Sequence, residues 1–242
     1  MLLSLVMLPS NSLAFLVTLG LAWAWLRLND WVAARGWISG QLSRKIIHIG
    51  TGPIFVLCWL LFQDTPSARF WAALVPLGIT LQFLLIGLGV IRDEPAVAAM
   101  TRHGQAREIL RGPLFYGVVF VLLTLLYWYD SPIGLAALML LCGGDGLADV
   151  LGRRIPSPAL PWSKTKTVVG SLAMLLGGWG MAALVLGIFI LMGVIKAPLS
   201  TLMGPLFAVA ALAALVESLP LPDLDNLTVP AVAILAGHFL LS

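Results

Sequence analysis

The residues best suited to chemistry fall in one short stretch, Cys142-Gly143-Gly144-Asp145-Gly146-Leu147-Ala148-Asp149-Val150-Leu151-Gly152-Arg153-Arg154. Asp145 and Asp149 are four residues apart, so a helix sets both carboxylates on one face, where like charges repel unless a cation lies between them. A carboxylate within an apolar span is costly to keep and is usually functional. A Mg²⁺ ion held by one or two carboxylates together with substrate phosphates suits such a pair. The surrounding glycines let backbone or ligand come close. The plainer reading of this stretch is a solvated helix end packed through its glycines.

Two other stretches gather charge. Pro161-Trp162-Ser163-Lys164-Thr165-Lys166-Thr167-Val168-Val169-Gly170-Ser171 places two lysines and several hydroxyls ahead of a long apolar run. A helix starting there offers N–H groups and the positive end of its dipole to phosphate, and the lysines add charge. It is not a P-loop, because Gly-x-x-x-x-Gly-Lys-[Ser/Thr] occurs nowhere in the chain. A basic anchor beside a membrane helix is the plainer reading. In Val216-Glu217-Ser218-Leu219-Pro220-Leu221-Pro222-Asp223-Leu224-Asp225-Asn226-Leu227-Thr228-Val229-Pro230, Glu217, Asp223, Asp225 and Asn226 gather between two apolar runs. They can bind a second metal or accept a hydroxyl proton; alternatively Asp225 or Asn226 only caps a helix. Ser43-Arg44-Lys45-Ile46-Ile47-His48-Ile49-Gly50 and Arg107-Glu108-Ile109-Leu110-Arg111-Gly112-Pro113-Leu114-Phe115-Tyr116 are weaker signals. Taken alone, His48 reads as a structural histidine and Glu108 with Arg111 as an i,i+3 pair. His103 and His238 draw no role, and Cys58 and Cys142 read as buried small apolar groups.

Positioning these groups falls to long apolar helices. The 242 residues are 60% hydrophobic and 10% charged, whereas a soluble domain carries about 25% charged residues. Several runs reach the roughly 20 residues that cross a bilayer as a helix, and period-2 alternation is absent. The composition predicts an all-α, polytopic transmembrane bundle of about eight helices (seven or eight), forming one domain over residues 1–242. The spans are expected near 10–28, 46–63, 70–91, 113–129, 132–151, 169–193, 198–217 and 227–242. No Lys or Arg precedes Arg27, so no cleaved signal is expected. A net charge of +3 without a basic, aromatic-interleaved stripe gives no reason to expect nucleic acid as a partner.

Orientation follows from the basic residues. Twelve of the 14 fall in alternate loops: Arg27, Arg35, Arg44 and Lys45; Arg92, Arg102, Arg107 and Arg111; Arg153, Arg154, Lys164 and Lys166. Only Arg69 and Lys196 fall on the other side. The positive-inside rule predicts a cytoplasmic location for the rich side and an outside location for both termini. Of the 11 acids, only Asp64 and Asp130 lie outside. Orientation chemistry demands inside bases but not inside acids. Acids and bases together on one face therefore point to a site for an anionic, metal-bound substrate.

In this order, these stretches resemble the phytol kinase and dolichol kinase family of CTP-dependent membrane lipid kinases. The resemblance is carried by Arg44-Lys45-Ile46-Ile47-His48, Glu108-Ile109-Leu110-Arg111-Gly112-Pro113-Leu114, Gly144-Asp145-Gly146-Leu147-Ala148-Asp149, Lys164-Thr165-Lys166-Thr167-Val168-Val169-Gly170-Ser171, and Val216-Glu217-Ser218-Leu219-Pro220 with Asp225-Asn226-Leu227-Thr228-Val229-Pro230. It runs from about residue 43 to 230, and the last pair is most similar to the phytol kinase branch. Val168-Val169 stand where the family typically has an aromatic residue. The resemblance implies phosphoryl transfer from CTP, or a related nucleoside triphosphate, to the hydroxyl of an isoprenoid alcohol such as phytol, geranylgeraniol, farnesol or dolichol. It implies Mg²⁺ on Asp145 and Asp149, and phosphate neutralisation by Lys164, Lys166 and the Gly170-Ser171 helix start. Asp225 or Glu217 would take the alcohol proton or hold a second metal. Arg44, Lys45 and His48 would contact the nucleotide or product phosphate, with Arg111 and Asn226 also on the nucleotide side. Membrane lipid is a further expected partner, and the apolar bundle would supply a groove for the prenyl tail, so that the hydroxyl meets the nucleotide at the interface.

Two other readings compete. A CDP-diacylglycerol synthase-like cytidylyltransferase uses the same groups but releases pyrophosphate where a kinase releases CDP. A lipid or ion transporter also keeps intramembrane acids, but its site lies at the midplane rather than at one face. A CDP-alcohol phosphotransferase is disfavoured, because Asp149 follows Ala148 where that family needs Arg.

Overall fold

The computed structural model describes residues 2–101, 104–220 and 224–241. Asp223, Arg102 and His103 lie outside the described residues. The chain forms helices α1 (Leu3–Val6), α2 (Asn11–Ala34), α3 (Gly40–Leu57), α4 (Ala68–Gly87), α5 (Glu94–Met100), α6 (Gly112–Leu126), α7 (Pro132–Met139), α8 (Gly146–Arg154), α9 (Val168–Leu191), α10 (Leu199–Glu217) and α11 (Asp225–Leu240). Seven helical segments are long and apolar enough to cross a membrane, and α11 is a shorter apolar helix beside them. This is the expected all-α transmembrane bundle.

Helix starts are set by side-chain caps. Ser10 Oγ accepts the Leu13 N–H, Ser39 Oγ the Leu42 N–H and Ser131 Oγ the Gly134 N–H, which satisfies donors that the first turn leaves open. Two helices extend beyond their apolar spans on the charged side. The last turns of α2 carry Arg27 over the Trp23 ring at 5.2 Å and Arg35 over the Trp31 ring at 4.6 Å. The first turns of α3 carry Arg44, Lys45 and His48. Hydropathy alone ends a helix where its polar face begins, so it misses these turns.

One segment forms the axis of the bundle. Within Pro132–Arg154 the 18-residue apolar stretch is 83% buried, against 22–39% for the corresponding stretches of the other six. Leu135 through Leu141 are all fully buried. The outer helices turn apolar side chains outward instead, as Leu16, Phe70, Leu81, Leu176 and Leu184 show. Within the axis, Leu140–Asp145 is a π-helical turn between α7 and α8. Such widened turns concentrate at functional sites. Close packing against α9 needs glycine on both sides. A Cβ on Gly178 would lie 3.2 Å from Gly144 Cα, and one on Gly152 would lie 3.2 Å from Gly170 Cα. Small residues let helix backbones approach in this way.

The 152–168 stretch, a loop between two expected spans, contains an antiparallel hairpin, β1 (Ala159–Leu160) and β2 (Ser163–Thr167). The strands are too short to show periodicity in the sequence. Trp162 Nε1 donates to Ser218 Oγ at 3.1 Å and ties the hairpin to the end of α10. Hydrogen bonds also define the two ends of the molecule. Gln63 N donates to Asn11 Oδ1 at 2.9 Å, and Tyr127 OH pairs with His238 Nε2 at 2.7 Å, which gathers residues 9–11, 61–65, 127–131 and 238 at one end. The predicted site residues lie at the other.

Candidate active site

A cleft of about 1410 Å³ opens at the charged end. Its charged wall draws on many elements of the chain. The start of α3 brings Arg44, Lys45 and His48; the junction of the π turn with α8 brings Asp145 and Asp149; β2 and the first turn of α9 bring Lys166, Gly170 and Ser171; the end of α10 brings Glu217; and the start of α11 brings Asp225 and Asn226. Arg111, at the start of α6, lines it as well. Twelve of the thirteen residues singled out in the sequence therefore share one cavity. The exception is Lys164, which is exposed and does not line the cleft.

Opposite charges are interlocked across the walls. Lys45 Nζ lies 2.9 Å from Asp149 Oδ2, and Arg153 Nε lies 2.6 Å from Asp149 Oδ1. Both oxygens of Asp149 are thus engaged. Lys166 hydrogen-bonds Glu217, itself only 4% exposed, and its Nζ lies 3.8 Å from Asp225 Oδ2. Burial pulls the Lys166 ammonium down, but Glu217, then Asp225 and Asp145, outweigh it and hold the group above its ordinary 10.5. Lys166 is therefore a fixed cation among three carboxylates. Arg44 Nη1 donates to the Thr101 carbonyl at 3.1 Å, which anchors α3 to the end of α5.

Asp145 is held more loosely. His48 Nε2 stands 3.5 Å from Asp145 Oδ2, too far for a good hydrogen bond. Among the described residues, five buried side-chain N or O atoms lack a partner, and three of them, His48 Nε2, Ser171 Oγ and Asn226 Oδ1, belong to residues of this cleft. Buried polar atoms are nearly always satisfied, so orphans gathered around one cavity mark where a polar ligand completes the structure.

The start of α9 differs from expectation. Its first N–H groups are already taken: Val168 donates to the Pro158 carbonyl at 3.1 Å, Val169 to Ser157 Oγ at 3.2 Å and Gly170 to Thr167 Oγ1 at 3.2 Å. The hairpin that delivers Lys166 also caps the helix. Side chains, and not an open amide cradle, are left to hold an anion here.

Tyr116 was quoted within a motif but given no role by sequence reasoning. Its hydroxyl donates to the His48 carbonyl at 3.2 Å and lies 3.2 Å from Cys142 Sγ, and its ring meets the His48 ring at 4.6 Å. It thereby fixes α3 against the π turn. Its only sequence signal is a hydroxyl-bearing ring one turn into an apolar helix. Away from the charges, the cleft wall becomes apolar through Ile47, Phe55, Val75, Ile79 and Phe120.

Fold and site together define a class: an α-helical membrane protein whose acids and lysines converge on one cleft at the end of the bundle. Known proteins narrow that class. A protein named "Probable phytol kinase, chloroplastic" from Triticum aestivum is 40% identical over 236 residues, which cover 97% of this chain and 78% of that protein. "Phytol kinase 1, chloroplastic" of Arabidopsis thaliana is 35% identical over 227 residues, 93% of this chain and 75% of its own length. "Farnesol kinase, chloroplastic" of the same plant is 39% identical over 246 residues, 98% and 80% of the two chains. The chain belongs to the phytol kinase family. No protein-family model and no solved structure matches it.

Proposed function

We propose that this protein is an isoprenoid alcohol kinase that transfers the γ-phosphoryl group of CTP, or a related nucleoside triphosphate, to the hydroxyl of an alcohol such as phytol, geranylgeraniol or farnesol. One observation carries the reading: a single cleft joins a wall of interlocked acids and lysines to an apolar wall of Phe55, Val75 and Phe120. Phosphate chemistry needs the first and a prenyl tail the second. The relatives' names, phytol kinase and farnesol kinase, support the isoprenoid alcohol as acceptor.

Phosphoryl transfer is mostly positioning and charge stabilisation. Lys45, Lys166 and Arg111 neutralise phosphate oxygens, and the incoming anion competes for the ammonium groups that Asp149 and Glu217 hold in its absence. Ser171 Oγ and Asn226 offer hydrogen bonds. Asp225 or Glu217 takes the hydroxyl proton. The donor set fits Mg²⁺: Asp145 offers a hard carboxylate whose ion-pair partner among the described residues, His48 Nε2, stands 3.5 Å away, and Asp149 is available if it releases Lys45 or Arg153. Among the described residues, no group of three or more His, Cys, Asp or Glu side chains is arranged to hold a metal. A magnesium nucleotide does not require one, since phosphates and water supply its other ligands. When bound, the ion would draw charge from the phosphate oxygens. The excess of basic residues at this end supports a cytoplasmic location for it by the positive-inside rule.

The test is purified protein in vesicles with labelled CTP, with and without Mg²⁺, and a panel of phytol, geranylgeraniol, farnesol, dolichol and diacylglycerol. A phosphorylated prenol with release of CDP is the expected result. Pyrophosphate release would instead mean a cytidylyltransferase, and alcohol or ion flux without nucleotide consumption would mean a transporter.

A further inference from the structure

The apolar wall of the cleft has one stretch whose lining reaches the outer surface of the bundle. It lies in the seam between α2 and α4, two helices that face outward. In the outer half of this seam the helices pack tightly: Ala14, Ala68 and Ala72 are fully buried, and the Phe15 and Trp71 rings meet at 6.2 Å. In the inner half the facing residues line the cleft, with Ala22, Trp23 and Leu26 on α2 and Ile79, Gln82 and Phe83 on α4. Trp23 is 59% exposed although it lines the cavity. The seam is packed at its outer end, and at its inner end its residues line the cleft.

Straight ahead, towards the outer end, the cleft is blocked. Phe55 packs on Phe120 at 5.8 Å and on Trp59 at 5.9 Å, and Trp59 stacks on Trp128 at 5.0 Å. From His48 to Phe55 is two turns of α3, about 10 Å at 1.5 Å per residue. An extended farnesyl or phytyl tail is longer than that. Its hydroxyl can reach the polar groups only if the rest of the tail leaves sideways, and the inner half of the seam is where the cleft lining reaches the outer surface.

Resting on the kinase reading above, we propose that the acceptor alcohol enters and leaves through the inner half of the α2–α4 seam. The hydroxyl end reaches the junction of polar and apolar walls near His48 and Tyr116. The first part of the tail lies against Phe55, Val75 and Phe120, and the far end stays in the lipid between Trp23 and Phe83. This route never exposes the tail to water. It also means that only the hydroxyl-proximal part of the alcohol is enclosed by protein, so alcohols of different length share one site.

The seam can be closed and its effect read against an alcohol that does not need it. In the double variant Leu26→Cys/Phe83→Cys, cleavable bis-maleimides of graded length would span the gap; the native cysteines, Cys58 and Cys142, are buried. The same preparation is assayed before and after cross-linking, with phytol and with 3-methyl-2-buten-1-ol, a short water-soluble prenol. Cross-linking should lower phytol turnover at least tenfold and change turnover of the short alcohol less than twofold, and cleavage should restore it. Unchanged phytol turnover in the cross-linked protein would overturn the proposal. A photoreactive C20 alcohol gives a second reading that needs no turnover. Its adducts should fall on residues 22–30 and 75–83, and adducts confined to α9 or α10 would also overturn it. If the uncross-linked protein phosphorylates neither alcohol, the kinase reading fails, and the photolabel alone decides the route.

Discussion

The two ends of the bundle hold the same kinds of residue and use them differently. The outer end has Asp64, Asp130, Tyr127, Tyr129 and His238; the inner end has Asp145, Asp149, Tyr116 and His48. At the outer end most polar groups pair with one another, as Tyr127 with His238 at 2.7 Å and Asn11 with Thr65 at 3.0 Å, and the Trp59 indole N–H is left over within the aromatic layer. Burial and a hydrogen bond to Asp64 push the Tyr129 phenol above its ordinary range, which keeps it neutral. Around these pairs Trp59, Phe62 and Trp128 form a dense aromatic layer. At the inner end three buried polar atoms stay unpartnered, and carboxylates crowd each other around lysines. The outer end is closed by its own side chains, whereas the inner end is built to be completed by something that binds. Residue type alone does not mark a site; several unsatisfied polar atoms gathered around one cavity do.

This contrast can be broken from either side. The largest effect should come from the outer layer. Trp59→Ala removes a fully buried ring and should destabilise the detergent-solubilised protein by about 3–5 kcal/mol. Its folded fraction should keep the wild-type nucleotide KM; a shifted KM would mean that the two ends are not separate. Next is Asp145→Asn, which keeps shape and removes charge. Turnover should fall at least ~100-fold, the scale of one preorganised electrostatic group, with normal insertion and melting. Asp149→Asn should fall less if its main duty is to hold Lys45 and Arg153, so equal losses would show that both carboxylates serve the reaction directly.

Third is Lys166→Met, which should raise the nucleotide KM about tenfold, or ~1.4 kcal/mol, and lower stability by leaving Glu217 and Asp225 without their cation. Adding Glu217→Gln should recover stability but not KM. The pH dependence has a definite sign. Because the folded state holds Lys166 above its ordinary 10.5, the stabilisation is complete below pH 10.5 and is lost as pH rises through the raised value. The melting difference between wild type and Lys166→Met should therefore be flat from neutral pH to 10 and shrink above 10.5. Lys164→Ala, altering a lysine away from the cleft, should leave the nucleotide KM within about twofold of wild type. The smallest effect belongs to Tyr127→Phe, which deletes one outer hydrogen bond, costs about 1 kcal/mol and should leave kinetics untouched.

Much of this was legible in the sequence. Apolar runs announced the helices, and the asymmetric acids and bases announced a charged end. The ordered motifs named the groups that meet there. What stayed hidden depends on three-dimensional pairing. The π turn at Leu140–Asp145 adds one residue to a turn without altering hydropathy. The short strands of the hairpin leave no period to detect. Lys164 and Lys166 look equivalent in sequence, and only the hairpin separates one on the cleft from one outside it. The start of α9 advertises open amides, yet Ser157, Pro158 and Thr167 consume them from the chain just before it. Tyr116 is invisible for the same reason, since its partners, His48 and Cys142, are remote in sequence.

The burial of the axis has a mechanical consequence. Asp145 and Asp149 ride on the span that presents almost no side to lipid, while α2 and α4 stand in the outer ring. Bilayer thickness and lateral pressure act on outward-facing helices by tilting them. To displace the acids, such forces must shift the whole close-packed layer around the axis, which has low compressibility. The α2–α4 seam has no such shield. The protein thus separates an insulated centre from a compliant rim, and membrane composition is expected to govern how readily an alcohol reaches the acids far more than what happens once it is there.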